Sequence, residues 1–134
     1  MIRMRRPGRP QVSADAEQRY QADVELAGQR DRLLAAAREA EARFRQVQQS
    51  HAPIGERHVR AEELDAALTA AMRAAYAAQR AAIGPRGYDD RIYRRKAKAK
   101  PDVHALTAEA EHLLTLRETH RLNDIPGEPL KPAV

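Results

Sequence analysis

Residues 33–47 read LLAAAREAEARFRQV, and within them Leu33, Ala37, Ala40, Phe44 and Val47 recur at alternating steps of four and three. That spacing puts all five on one stripe of an α-helix, the seam of a coiled coil or helical hairpin able to meet a partner. Followed backward, the same frame meets Arg30, Leu26 and Asp23, while Tyr20, Val24 and Ala27 form a different stripe, so the seam is expected to shift across Gly28. Ser13 suits an N-cap, and Asp15 and Glu17 follow in the first turn, where the helix dipole favours acids. No proline interrupts until Pro53. The pattern predicts one helix from Ala14 to Ser50, about 55 Å long at the usual rise per residue.

Pro53 and Gly55 mark residues 51–58 as a turn. A second helix is expected from Val59 to Ile83, with Leu64, Leu68, Met72, Ala75 and Gln79 on one stripe and an alanine face beside it, stopped by Gly84-Pro85. Alanine lets backbones approach closely, so an antiparallel hairpin over residues 14–83 is the natural arrangement. A third helix, about Val103 to Leu122, takes Asp102 as its cap, Leu106, Ala110, Leu113 and Leu114 as its buried stripe and Asn123 as a left-handed stop. Residues 84–101 read as a Gly/Pro loop ending in a cationic connector, with helical potential across Asp89 to Lys100 but thin packing potential, residues 1–13 as a flexible basic arm and residues 124–134 as a Pro-rich extended tail. The fold class is therefore all-α, with no alternation long enough for a sheet.

The 134 residues include 27 Ala but only 23 Leu, Ile, Val and Phe combined. That is roughly 17% of the chain, below the ~20% at which a thick core of large side chains is expected. Close helix-to-helix approach, or a partner, has to supply the compactness. A second helix shorter than the first leaves part of the seam for self-association or another protein, or for the third helix to cover in a closed three-helix bundle, and periodicity does not separate these readings. With no Cys, disulfides and zinc–thiolate sites are excluded. No apolar run reaches membrane-spanning length, so a soluble cytoplasmic or virion-associated protein without a membrane partner is expected.

The net charge of +5 is unevenly placed: +4 over residues 1–13 and +5 over 84–101, against −1, 0 and −3 over 14–50, 51–83 and 102–134. The candidate nucleic-acid contacts are Arg3, Arg5, Arg6 and Arg9 in the first tract and Arg91, Arg94, Arg95, Lys96, Lys98 and Lys100 in the second, with Tyr93 available to stack on an unpaired base. Gly8-Arg9-Pro10 resembles the centre of an AT-hook, in which a Gly-Arg-Pro core enters the minor groove at A·T tracts. The resemblance spans about six residues, and Pro7 stands where that pattern has an Arg.

Other chemistries find little support. His104, His112 and His120 recur every eight residues, which spirals them around a helix rather than along one metal-binding face. Glu109 and His112 match one Glu-x-x-His unit of a di-iron bundle, but the second copy is missing, and the histidines read as surface and turn residues. Ser13 and Ser50 lie outside any nucleophile elbow, Asp89-Asp90 reads as local charge compensation in a basic loop, and the six glycines form no phosphate loop. Neither catalysis, cofactor nor metal is expected. The sequence points to a non-enzymatic accessory protein of a bacterium, plasmid or phage that binds DNA or RNA through its phosphates, with packaging as one such role. The alternative is a scaffold or virion component assembled through the seam and terminal arms.

Overall fold

Ser13 opens the first helix, its hydroxyl accepting a hydrogen bond from the Ala16 amide at 3.0 Å. A computed structural model describes residues 12–125, and among them every regular element is helical: α1 (Ala14–Ala27), α2 (Arg30–Gln49), α3 (Ile54–Ile83), α4 (Arg86–Asp89), α5 (Arg91–Lys98) and α6 (Pro101–Asp124). The expected single helix over 14–50 is two. Gly28 and Gln29 keep right-handed backbone angles, but the Gln29 amide turns to the Leu26 carbonyl, a tightened turn that offsets α2 from α1 at the point where the stripe changes. The 51–58 turn shrinks to residues 50–53, because Pro53 takes the N-cap position and α3 starts at once. Likewise α6 begins at Pro101, whose fixed φ suits the first helical position, so Asp102 is not the cap. It runs through Asn123 to Asp124, and Ile125 ends it in extended backbone, so Asn123 is no left-handed stop.

The α2–α3 turn closes as a Schellman motif: the Ala52 amide donates to the Val47 carbonyl at 3.1 Å and the His51 amide to Gln48 at 3.3 Å. His51 sits there with φ 52°, a conformation that costs an L-residue about 1–2 kcal/mol and glycine little. His51→Gly should therefore stabilise the protein by about 1 kcal/mol, read as a higher urea midpoint. A lower midpoint would show that the imidazole makes a contact worth more than the strain.

Helix α3 is the axle, packed against α1, α2 and α6. Its pairings with α6 fix the direction. Gln79 donates to Thr107 at 2.8 Å, Arg117 to Thr69 at 2.8 Å and Arg121 to Asp65 at 2.6 Å, so the two helices run antiparallel. The main core joins Ala37, Ala40 and Phe44 of α2 to Ala61, Leu64, Leu68, Ala71 and Ala75 of α3 and Ala110 and Leu113 of α6. Six of these ten residues are alanines, and the helices approach closely where they meet. The seam residues of α2 are thus committed inside the chain. Ala37, Ala40, Phe44 and Val47 are buried and Leu33 half-buried, because α6 adds a third wall that the hairpin picture left open. A smaller cluster of Ile83, Ala97 and Val103, with Tyr93 against it, holds the α3–α5–α6 corner.

His120 departs from the surface reading given to the histidines. It is 6% exposed, its ring meets Phe44 edge-on with centroids 5.1 Å apart, its Nε2 donates to the Ala61 carbonyl at 2.7 Å and its Nδ1 lies 3.0 Å from Asp124 Oδ2. A histidine so satisfied is a fastener between α6 and the start of α3.

Candidate nucleic-acid interface

Three features fold the stretch expected to be a basic loop. Gly84 reverses the chain after α3 at φ 96°, where a side chain would be strained. At Gly87 an added Cβ would lie 2.5 Å from Ile83 Cγ2, so only glycine lets α4 sit this close to the end of α3. Asp90 then caps α5, accepting from the Tyr93 amide at 2.9 Å, and that bond, outweighing some desolvation, together with Arg86, holds its carboxyl below the usual range. Tyr93 and Ala97 turn inward onto Ile83 and Val103. The connector is thus two short helices.

A half-buried cluster ties this corner to α1. Arg80 donates to Asp23 at 2.8 and 3.1 Å, and the Tyr88 hydroxyl donates to the same carboxylate. Burial pulls the Asp23 carboxyl up, but the bonds from Arg80 and Tyr88 more than offset it and leave its pKa lowered. Burial and the bond to Asp23 push the Tyr88 hydroxyl upward. Asp65 is lowered too, chiefly by its bonds from Arg121. Because both carboxyls are lowered on folding, their stabilisation is complete above the unfolded carboxylate range and is lost as pH falls through their folded values, below about pH 4. Tm should drop as pH is lowered through that range. Asp23→Asn should be less stable at neutral pH and lose less on acidification; an unchanged acid slope would count against the Asp23 cluster.

The α5 cations divide by what they touch. Arg94 is half-buried and donates to the Gly87 carbonyl at 3.0 Å, so it is structural. Tyr93 is half-buried, with the Arg86 guanidinium carbon 4.5 Å from its ring centroid. With that cation over it and the small cluster beside it, its ring is partly covered, where the sequence expectation had it available to stack on a base. Arg91, Arg95, Lys96, Lys98 and Lys100 are exposed, and none has a carboxylate partner among the described residues. At 100° per residue, Arg91, Arg95 and Lys98 fall on one outward line.

Arg3, Arg5, Arg6 and Arg9 lie outside the described residues. Their attachment point does not. The Ser13 amide and hydroxyl donate to the two Asp89 carboxylate oxygens at 2.7 and 2.9 Å, and Asp89 immediately precedes the α5 cap. Sequence reasoning found Ser13 as a cap and Asp89 as a charge, but no signal linked positions 76 residues apart.

A second surface lies between α2 and α6, which both lean on α3 and meet each other through Phe44–His120 and Arg30–Glu109. Between them runs a groove of three adjoining cavities of about 480, 280 and 460 Å³, walled by Leu34, Ala37, Leu113 and Leu116 and floored by Leu64 and Leu68. Its carboxylates are engaged: Glu109 with Arg30, Glu41 with Arg45 and Asp124 with His120. Arg38 and Arg57 on its margin have no carboxylate partner among the described residues.

Among the described residues no group of three or more His, Cys, Asp or Glu side chains is placed to hold a metal. His112 is exposed and Glu109 is engaged by Arg30, so the Glu-x-x-His unit is not assembled into a site. No described helix is long and apolar enough to cross a membrane. No protein-family model, curated protein or solved structure matches the chain.

Proposed function

We propose that this protein is a non-enzymatic, nucleic-acid-associated accessory protein that holds the phosphate backbone through one composite basic face. One observation carries the reading: Ser13, which follows the arginine-bearing segment in sequence, is clasped to Asp89 next to the α5 cap, beside the second of the two tracts that hold the chain's positive excess. Arg91, Arg95, Lys96 and Lys98 of α5, Lys100 just beyond it and the four arginines of residues 1–11 make nine cations for up to nine phosphates. Binding of this kind is nearly independent of sequence and steep in salt, with a log–log slope near −8 if all nine engage duplex DNA. Titrating labelled DNA into the full chain at about 0.05 and 0.2 M salt tests it. Binding that weakens by at least a thousandfold between them supports the reading; no binding at low salt, or affinity unmoved by salt, overturns it.

The α2–α6 groove favours a second reading, assembly with another protein. Its parallel walls offer residues at helical spacing, the slot of a fourth helix, and its two unpartnered arginines suit an amphipathic helix with acidic flanks. Two synthetic helices sharing one leucine stripe, flanked by Glu or by Lys, decide it. Binding of the Glu peptide alone, lost on Arg38→Glu with Arg57→Glu, supports the slot. Equal binding of both, or of neither, rejects it, as does a dimer in solution that buries Leu116.

A further inference from the structure

The Tyr93 ring bears on which form of nucleic acid the basic face takes, an inference that rests on the function proposed above. The chain has five aromatic side chains, four Tyr and one Phe, and all five lie within the described residues. None is exposed. Phe44 is buried against His120, Tyr76 packs on the main core and Tyr20 is half-buried on α1. Tyr88 gives its hydroxyl to Asp23, and Tyr93 lies under Arg86 and against the Ile83–Ala97–Val103 cluster. Proteins that hold single strands gain roughly five- to 150-fold per base from aromatic stacking. This surface has no ring with which to collect that gain.

Charge alone remains, and charge favours the denser polyanion. Seven residues separate Arg91 from Lys98, so their line is about 10 Å long. A duplex carries one charge per ~1.7 Å of axis, roughly six over that length, while one strand at the same spacing carries about three. The line is also fixed: Asp90 caps the helix, and Tyr93 and Ala97 anchor its inner side. A rigid row of cations meets a rigid duplex without ordering either, whereas a flexible single strand loses conformational freedom in following it.

We infer that the ligand of this face is double-stranded nucleic acid, held by its backbone, and that a single strand is the weaker ligand. The probes are a roughly 20-bp DNA duplex of mixed sequence and one of its strands alone, each titrated into the full chain at three salt concentrations. The duplex should bind at least about tenfold more tightly at ~0.1 M salt. Its log–log slope should be the steeper, in a ratio near 0.9 to 0.7 for the same set of cations. Equal or tighter binding of the single strand overturns the duplex inference and leaves the basic-face function standing. Binding of neither probe at low salt overturns that function and the inference with it. Tyr93→Leu, checked by circular dichroism for an intact fold, adds a residue-level reading. Single-strand affinity unchanged within about twofold supports the inference, and a loss above about tenfold shows a stacking ring and overturns it.

Discussion

Replacing Arg91, Arg95 and Lys98 together by glutamine should weaken duplex binding roughly a hundredfold at about 0.15 M salt and more than a thousandfold at about 0.05 M, and make the salt slope shallower by about 2.7. The size follows from counterion release, since each phosphate contact contributes about 0.9 to the slope and three are removed. Structure should survive. All three side chains point outward, glutamine is a good helix former, and neither the Asp90 cap nor the inward pair Tyr93 and Ala97 is touched. Arg38→Gln on α2 removes an equally exposed cation away from α5 and is the control, with an expected change below about threefold. If the triple variant and the control bind alike, the basic face is not where the ligand sits. If the triple variant binds weakly with an unchanged slope, the loss is not electrostatic and the proposed mode of contact fails.

Phe44→Ala should cost about 3–5 kcal/mol, a large part of the ~5–15 kcal/mol that holds a domain together. Phe44 is the only phenylalanine and is 7% exposed. It fills the space where α2, α3 and α6 converge and supports the edge of the His120 ring. In a core whose other members are largely alanine, few neighbouring side chains are long enough to move into the gap, so the cavity should persist. Leu122→Ala is the matched control: a larger-than-alanine apolar residue on α6 that is 84% exposed, with an expected change within about 0.5 kcal/mol. Chemical denaturation of both variants settles the point. A Phe44→Ala cost below about 1 kcal/mol would mean that this convergence is not the centre of the core.

How much of this was legible in the sequence depends on the range of the interaction that fixes each part. The stripe from Leu33 to Val47, the Ser13 cap and the stop at Gly84 are local, and periodicity with capping chemistry located them. The break at Gly28–Gln29 showed as a change of stripe, but one glycine in a helical run does not state whether the backbone will tighten there. Helix α5 was hidden because its inward side consists of Tyr93 and Ala97, and the residues that complete its cluster, Ile83 and Val103, sit on other helices. The same holds for the coverage of the α2 seam, since three bundled helices and an open hairpin use identical apolar positions. His120 looked like a surface residue because its partners, Phe44 and the Ala61 carbonyl, are distant in sequence. At the candidate site the cations were legible as charges, but that Arg94 among them is spent on the fold needed three dimensions.

The break at Gly28–Gln29 also falls between two packing regions that share α3 and α6. On one side α2 and α6 close the ten-residue main core; on the other α1, whose single buried residue is Ala16, and α5 rest on a three-residue cluster and the Asp23 contacts. Local opening should therefore cost less free energy at the basic end than at the Phe44 end. A ligand held only by the folded α5 would make that opening rarer by mass action. Its footprint in amide hydrogen exchange would be slowed exchange through α4, α5 and the start of α1, with the main core's rates left almost as they were.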